Sequence, residues 1–381
     1  AGESSPEVTA ADKTRQLPSL AQQALDAAYA TPDTTFGFVN VTLPNVRARG
    51  TCPMDADAVS RVHVDSPVYS SDRQFYKALT TCTDNAKAKD VFVFVHGFNV
   101  TMEHAVARAA QMAEDMPFHG VVVAFSWPSV GRGNAYLTDE VQAERFFWSL
   151  AELLANLRSH LSADTRLHLL AHSMGNRVTL RALNALVGAV GPTGQSVDPF
   201  VAAQLSRFTN EQYVDHREQL AVLGSPDAAR NAGLGGLKEI TTRFPQWGTW
   251  AENRLSRRPL ASLILAAPDV DAREFDVLVG NIRHVAGRMT LYASDSDYAL
   301  EASRKVHGGA FRAGDSRVRS SVEGLQTVRV SGVSANDPLG HSYYGSNPVI
   351  LTQLAQLLRP PVDLTKPVGT LAREQAFRTL R

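Results

Sequence analysis

One short segment restricts the possible folds of this chain more than any other: a serine placed between an apolar strand and a helix. The apolar run 167–170 predicts the strand, and residues 176–183 predict the helix. Between them lies the pentapeptide Ala-His-Ser-Met-Gly, whose central residue is Ser173. A sharp strand-to-helix turn that carries a serine is the context of a nucleophile elbow, which lifts the hydroxyl out of a sheet. The small residues Ala171 and Gly175 let the helix pack close to the strand.

Strand and helix patterns alternate along the chain on both sides of this turn. The segment 91–95 is continuously apolar and rich in β-branched and aromatic residues, which is typical of a strand buried on both faces. Residues 138–161 repeat apolar side chains at three- and four-residue steps, as the buried face of a long helix does. Further strands are predicted at 120–125, 262–267, 289–293 and 327–330. The alternation predicts an α/β fold with a mostly parallel, doubly wound sheet.

The chain divides into a core and flanking parts. Residues 86–358 are predicted to form the core, between an N-terminal extension with leading strands at 1–85 and a C-terminal tail at 359–381. Within the extension, apolar and polar residues alternate at 36–43 and predict an early strand. About 70 residues separate the elbow helix from the next strand, far more than a short connection needs. Residues 191–259 in this gap are expected to form a helical cap, or lid, over the site; a peripheral insertion with its own small core is the alternative.

Charge and hydropathy limit the partners of the chain. Of its 381 residues, 44% are hydrophobic, and the 38 basic residues balance the 38 acidic ones. A balanced charge gives no electrostatic case for nucleic acid or for an anionic membrane as a partner. Every apolar run is shorter than a transmembrane helix requires, so no integral membrane segment is expected.

The first residues and the cysteines bear on the compartment. The chain begins at Ala1 without an initiator methionine or an apolar signal segment, which favours a processed, secreted or periplasmic protein; a trimmed cytoplasmic protein is the alternative. Cys52 and Cys82, the two cysteines of the sequence, are expected to form a disulfide, with two free thiols as the alternative. The sequence has no Cys-x-x-Cys motif and no His/Cys cluster, so no metal site is expected.

A serine nucleophile needs a base, and the base needs an acid that orients it. His341 lies in a Gly-His-Ser-Tyr-Tyr loop after the last predicted strand, where an imidazole can reach across to the elbow. Three aspartates are candidates for the acid: Asp297 and Asp295 share the loop after one strand, and Asp269 lies in the loop after another. The chain order Ser, Asp, His holds for each of them. Asp297 is preferred, followed by Asp269 and then Asp295.

An oxyanion hole needs two backbone N–H donors. One is expected from Met174, the residue after the serine, and the other from Phe98, in the loop that follows the first core strand. Asn99 in the same loop is expected to line the substrate pocket or to cap the next helix. Trp127 and Tyr136 follow the neighbouring strand and either form a wall of the pocket or pack at its rim.

Several of these segments match one known pattern when they are taken together. The matching segments are 94–99, 125–129, 171–176, 266–271, 294–300 and 340–344, which include the motifs His-Gly-Phe-Asn and Ala-His-Ser-Met-Gly. The combination resembles a bacterial family of α/β-hydrolases of largely undefined function, grouped with esterases and lipases. The resemblance implies the α/β-hydrolase fold and a Ser-Asp-His hydrolase acting on carboxylic esters, without naming a physiological substrate. In this family, alanine two residues before the serine is ordinary, although the general elbow pattern has glycine there.

The predicted function is therefore that of an esterase- or lipase-like serine hydrolase. Its substrate is expected to be a small-molecule or lipid-like ester, and the reaction needs no cofactor. An amidase or polyester hydrolase on the same scaffold is one alternative, and a non-catalytic binding module is another. A complete Ser, Asp and His set in the right order argues against the binding module, although a fold alone never establishes chemistry.

Overall fold

The structure, a computed structural model, describes residues 34–43, 47–52, 69, 71–188, 259–331 and 339–359. The predicted cap at 191–259 lies outside these residues except for its last position, and the predicted tail at 359–381 except for its first. Both of these, and most of the predicted N-terminal extension, stay predictions.

Six parallel strands form one sheet. The strands are β1 (Asp90–Val95), β2 (Val121–Phe125), β3 (Arg166–His172), β4 (Leu260–Ala266), β5 (Ala286–Ser294) and β6 (Leu325–Val330). Their order across the sheet is β2-β1-β3-β4-β5-β6, with every neighbouring pair parallel. The prediction of a doubly wound α/β sheet is confirmed. The winding reverses between β1 and β3, and open α/β sheets bind ligands at the carboxyl ends of the strands beside such a reversal.

Helices connect these strands and cover the sheet. They are α1 (Asp72–Asn85), α2 (Met102–Asp115), α3 (Tyr136–His160), α4 (Gly175–Gly188), α5 (Ala272–Asn281), α6 (Tyr298–Val306), α7 (Tyr343–Ser346) and α8 (Pro348–Leu357). Helix α3 packs against α1 and α4, and α4 packs against α5, whereas α2 packs against α8. Within the described ranges, no helix has the length and apolar character needed to cross a membrane.

The side chains of β1 alternate between the two faces of the sheet, and each face has its own hydrophobic core. The side chains of Val91, Val93 and Val95 enter the core that contains α1, α3, α4 and α5. The rings of Phe92 and Phe94 point to the opposite face, into the core that contains α2 and α8. Successive side chains of a strand alternate between the two faces of a sheet. A strand covered on both faces must therefore be apolar throughout, and every residue of β1 is buried.

The early strand predicted at 36–43 does not form. Residue 37 makes a single β-bridge, and the rest of the segment has no regular structure. The ring of Phe36 packs instead against Phe75 and Tyr76 of α1, with ring centroids 4.8 and 5.7 Å apart. Aromatic packing on a helix, rather than pairing with the sheet, therefore holds this segment.

The disulfide expected between Cys52 and Cys82 is also wrong, because neither cysteine takes part in a disulfide. Cys52 is buried, whereas Cys82 occupies an exposed position of α1. A disulfide requires two side chains that face each other at close range, and an outward-facing residue of a helix does not present its thiol to a buried one. The expectation of export, which this bond would have supported, stays a prediction.

Candidate active site

The turn after β3 holds Ser173 in a strained backbone conformation. Its φ is 53°, in the left-handed region that residues other than glycine rarely adopt. Hydrogen bonds on both sides fix it there: the Ser173 N–H donates to the carbonyl of Ala266 at 3.0 Å, and the Asn176 side-chain amide donates to the Ser173 carbonyl at 3.0 Å. Strain of this kind persists where the surroundings over-determine it, which is common at active sites.

Two glycines bring the elbow and the loop after β1 together. A methyl group on Gly175 would lie 2.3 Å from the carbonyl oxygen of His96, and one on Gly97 would lie 2.8 Å from Cβ of Ser173. The second methyl would also lie 3.1 Å from both the ring and the carbonyl of His172. The absence of side chains at these two positions is therefore what lets the two turns approach each other beside the winding reversal.

The candidate base and one candidate acid are in direct contact. His341 Nδ1 lies 2.7 Å from Asp297 Oδ2, and the Asp297 side chain is only 1% exposed. The other carboxylate oxygen of Asp297 accepts the N–H of Leu300 at 3.0 Å, which makes Asp297 the N-cap of α6. The Tyr298 N–H donates to the Leu339 carbonyl at 2.9 Å and ties the two loops together. Because a carboxylate only accepts hydrogen bonds, the imidazole carries its hydrogen on Nδ1, and Nε2 is left as the proton acceptor.

His172, the residue before the serine, places His341 at the elbow. Its Nε2 donates to the His341 carbonyl at 3.0 Å, and the two ring centroids are 4.6 Å apart. The ring of Tyr344 also stacks on that of His172, with centroids 4.2 Å apart. Burial, together with the nearby His341, lowers the pKa of His172 well below its ordinary value. His172 is therefore a neutral brace, and it ties the loop of the candidate base to the residue before Ser173.

Asp269 is buried in a different set of contacts. Its carboxylate accepts from Arg312 Nε at 2.9 Å, from the Ser303 hydroxyl at 2.6 Å and from the Tyr136 hydroxyl at 2.5 Å. Burial alone would raise the pKa of Asp269, but the guanidinium charges of Arg177 and Arg312 and these hydroxyl donors lower it below its ordinary value. Asp269 is thus an ionised carboxylate whose charge is already paired.

Asp295, the third candidate acid, is exposed, and its carboxylate accepts from the neighbouring Ser296 hydroxyl at 3.0 Å. The structure therefore brings Asp297 to His341, while the carboxylates of Asp269 and Asp295 are engaged elsewhere. Asp297 is also the acid preferred from the sequence.

The two candidate oxyanion donors flank the winding reversal, since Phe98 follows β1 and Met174 follows β3. Neither backbone N–H donates to an acceptor in the described part of the chain. Unpaired N–H groups at the carboxyl edge of a parallel sheet can receive the negative charge that develops on a carbonyl oxygen.

The three residues expected near the pocket lie in different environments. Trp127 is 1% exposed, and its indole N–H donates to the His96 carbonyl at 2.8 Å, so it packs inside the protein rather than facing a ligand. Tyr136 is half-buried, and its hydroxyl points to Asp269. Asn99 is exposed at the end of the loop, with a φ of 59°.

Asp139 was not identified from the sequence, although it holds the loops at this edge. Its buried carboxylate accepts from the N–H of Asn99 at 3.2 Å, from the N–H of Val130 at 2.7 Å and from the hydroxyl of Ser129. It therefore joins the loop after β1 to the loop after β2. An aspartate in the first turn of a predicted helix was the one available signal, and it is equally typical of an exposed N-terminal turn.

His96 is a second buried histidine near the elbow, and both of its ring nitrogens have hydrogen-bond partners. Burial lowers its pKa to about 4, and its ring lies parallel to that of Trp127 at 5.1 Å. Its Nδ1 donates to the Gly97 carbonyl at 2.9 Å, and its Nε2 accepts from Ser126 at 3.2 Å. His96 thus braces the backbone of the oxyanion loop. No group of three His, Cys, Asp or Glu side chains within the described residues is arranged to hold a metal ion.

Comparison with known protein families gives one match. The model of a family described as alpha/beta hydrolase of unknown function (DUF900) matches residues 71–227 and 238–359. A search of curated proteins and a search of solved structures each found no significant match.

Proposed function

We propose, from the premise that the chain belongs to this family of α/β-hydrolases, that it is a serine hydrolase that cleaves carboxylic esters. The contact between His341 Nδ1 and Asp297 Oδ2 at 2.7 Å, beside an elbow serine, carries the proposal. This contact orients the imidazole with its accepting nitrogen unprotonated, which is what the activation of a serine hydroxyl requires.

The proposed reaction proceeds in two stages. Ser173 Oγ attacks the ester carbonyl carbon while His341 Nε2 takes the hydroxyl proton, and the carbonyl oxygen becomes an oxyanion beside the N–H groups of Met174 and Phe98. The tetrahedral intermediate collapses, the alkoxide leaves with the proton from Nε2, and an acyl-enzyme remains. Water then attacks the acyl carbon with His341 as base, which releases the carboxylic acid and restores Ser173.

The charges around His341 support this assignment. When His341 takes the proton it becomes a cation, and the buried carboxylate of Asp297 stabilises that cation. The two other histidines at the elbow, His96 and His172, have pKa values lowered by burial and stay neutral. They therefore add no positive charge that would oppose the protonation of His341.

The first test combines turnover with covalent labelling of the full chain. We expect the protein to hydrolyse p-nitrophenyl esters, and a fluorophosphonate probe to label Ser173; Ser173→Ala should lose both. The matched control is Ser321→Ala, which removes an exposed hydroxyl that precedes β6, at the opposite edge of the sheet, and should keep both. Turnover that survives Ser173→Ala would contradict the proposal. Labelling with turnover of anilides instead of esters would change the substrate class, and absence of labelling would favour a binding module.

A further inference from the structure

We infer that Asp269 is a positioning residue that holds both halves of the proposed oxyanion hole, through the backbone of the elbow on one side and through Tyr136 on the other. The inference rests on the proposed function, because it concerns the two N–H groups of Met174 and Phe98. Asp269 therefore acts through the oxyanion hole, whereas Asp297 contacts the candidate base.

The groups that bind the carboxylate of Asp269 do more than neutralise its charge. Asp269 lies three residues after β4 and is 2% exposed. A buried carboxylate needs a cationic partner, and Arg312, also 2% exposed, supplies it at 2.9 Å. The hydroxyls of Tyr136 and Ser303 both donate to the same carboxylate and lie side by side, with 2.9 Å between their oxygens. These neutral groups come from α3 and α6, so Asp269 joins two elements to the loop after β4.

On the elbow side, Asp269 orients the N–H of Met174 through the peptide unit that joins Ser173 to Met174. The Asp269 N–H donates to the carbonyl of Ser173 at 3.2 Å. That carbonyl and the N–H of Met174 belong to the same peptide unit, which is planar, so fixing the direction of the C=O also fixes the direction of the N–H. Arg177, in the first turn of α4, donates from Nε to the Asp269 carbonyl at 2.8 Å. The carbonyl of Asp269 is therefore held by Arg177, and its N–H orients the peptide unit that carries the first oxyanion donor, the N–H of Met174.

On the side of the loop after β1, Asp269 is connected to Phe98 through the ring of Tyr136. Tyr136 is the first residue of α3, and its hydroxyl is fixed by Asp269 at 2.5 Å. Its ring packs edge-on against the ring of Phe98, with centroids 5.3 Å apart and an interplanar angle of 67°. Asp139 holds the Asn99 N–H of the same loop at 3.2 Å. Phe98, whose N–H is the second oxyanion donor, is thus held through its side chain by Tyr136 and through the following peptide by Asp139.

The variant Tyr136→Phe tests this role, because it removes the hydroxyl that binds Asp269 and keeps the ring that packs on Phe98. Loss of one whole oxyanion donor typically lowers kcat about 10²- to 10³-fold. A donor that is present but less well held should cost less, so we expect kcat to fall about 10-fold with little change in KM. The matched control is Tyr76→Phe, which changes a buried tyrosine of α1. Its ring stacks on His160, the last residue of α3, which lies about 36 Å along the helix from Tyr136.

A thionoester substrate separates oxyanion stabilisation from general disturbance. Its C=S sulfur accepts hydrogen bonds weakly, so it depends less on the oxyanion hole than the matching p-nitrophenyl ester does. In Tyr136→Phe, the ratio of kcat/KM for the ester to that for the thionoester should fall several-fold, and in Tyr76→Phe it should not change. Equal losses on the two substrates, or no loss on either, would overturn the inference.

Amide hydrogen exchange gives a readout that does not depend on turnover. In Tyr136→Phe, exchange of the segment 95–100 should accelerate, because the N–H groups of Asn99 and Val100 are hydrogen-bonded in a loop that Tyr136 holds. In Tyr76→Phe it should not change. Unchanged exchange in Tyr136→Phe overturns the positioning role even in an active enzyme. Turnover that survives Ser173→Ala overturns the proposed function instead, so the two failures are distinguishable.

Discussion

Replacing Asp297 by asparagine tests whether this carboxylate orients the base. Its two oxygens have different roles: Oδ2 accepts the hydrogen of His341 Nδ1 at 2.7 Å, and Oδ1 accepts the N–H of Leu300 at 3.0 Å. Asparagine offers one oxygen and one NH2 group. If its oxygen keeps the helix cap, its NH2 faces Nδ1, and the imidazole must then accept there and carry its hydrogen on Nε2. In that tautomer it cannot take the proton of Ser173.

The expected loss is about 10⁴-fold in kcat, the size associated with a triad histidine held in the wrong tautomer. This factor corresponds to about 5.5 kcal/mol of transition-state stabilisation. The free energy of unfolding should change far less, because asparagine is as good an N-cap as aspartate. Asp297→Ala removes the cap as well and should lower the free energy of unfolding by about 1 kcal/mol more than Asp297→Asn does.

The assay is the kcat and KM of each variant on a p-nitrophenyl ester, with urea unfolding measured on the same preparations. Asp295→Asn is the matched control, since it makes the same chemical change two residues away on an exposed side chain, and it should keep wild-type kcat. The reasoning is refuted if a folded Asp297→Asn retains more than about a tenth of the wild-type kcat, or if Asp295→Asn loses as much as Asp297→Asn.

Three further predictions concern packing, pH and the thiols. Gly97→Ala places a methyl 2.8 Å from Cβ of Ser173, so kcat should fall about 100-fold, with about 1–3 kcal/mol lost in urea unfolding; normal kcat would refute the close approach. Because His96 stays neutral in the folded state to about pH 4 while it takes up a proton below 6.5 in the unfolded chain, His96 alone should lower the free energy of unfolding by about 1.4 kcal/mol for each pH unit from 6.5 to 4. Urea titrations should show that His96→Gln removes this part of the slope. A maleimide should label Cys82 alone in the native protein and Cys52 as well after denaturation, and a reducing agent should leave the Tm unchanged.

The sheet could be predicted because its signal is local. The strand at 91–95 is apolar at every position, and only a strand covered on both faces needs that pattern. The segment 36–43 shows where the same reasoning fails. Its alternating residues fit a half-buried strand, but the ring of Phe36 packs on two aromatic residues of α1. A period of two residues does not reveal such partners.

The candidate site was predictable at the residues whose chemistry depends on their position in the chain. Ser173 directly follows β3, and the loop of His341 comes after β6, so both residues are conspicuous from their place in the chain. The roles of Asp139 and Asp269 depend instead on hydrogen bonds to donors more than a hundred residues away or in other loops, as the Tyr136 hydroxyl is for Asp269. A single sequence contains no local sign of such partners, because a buried carboxylate and a capping carboxylate look alike.

Asp297 and Asp269 show how environment assigns different work to two aspartates in similar loops. Asp269 pairs with Arg312 in a buried ion pair, so its negative charge is already balanced before any substrate binds. Asp297 forms no ion pair with an arginine or lysine among the described residues, and its buried carboxylate faces the imidazole of His341 and one backbone N–H. A carboxylate stabilises a transient imidazolium best when no permanent cation competes for it. A cation introduced beside Asp297 should therefore reduce its effect on His341, and kcat on a p-nitrophenyl ester should fall even though the hydrogen bond to Nδ1 remains.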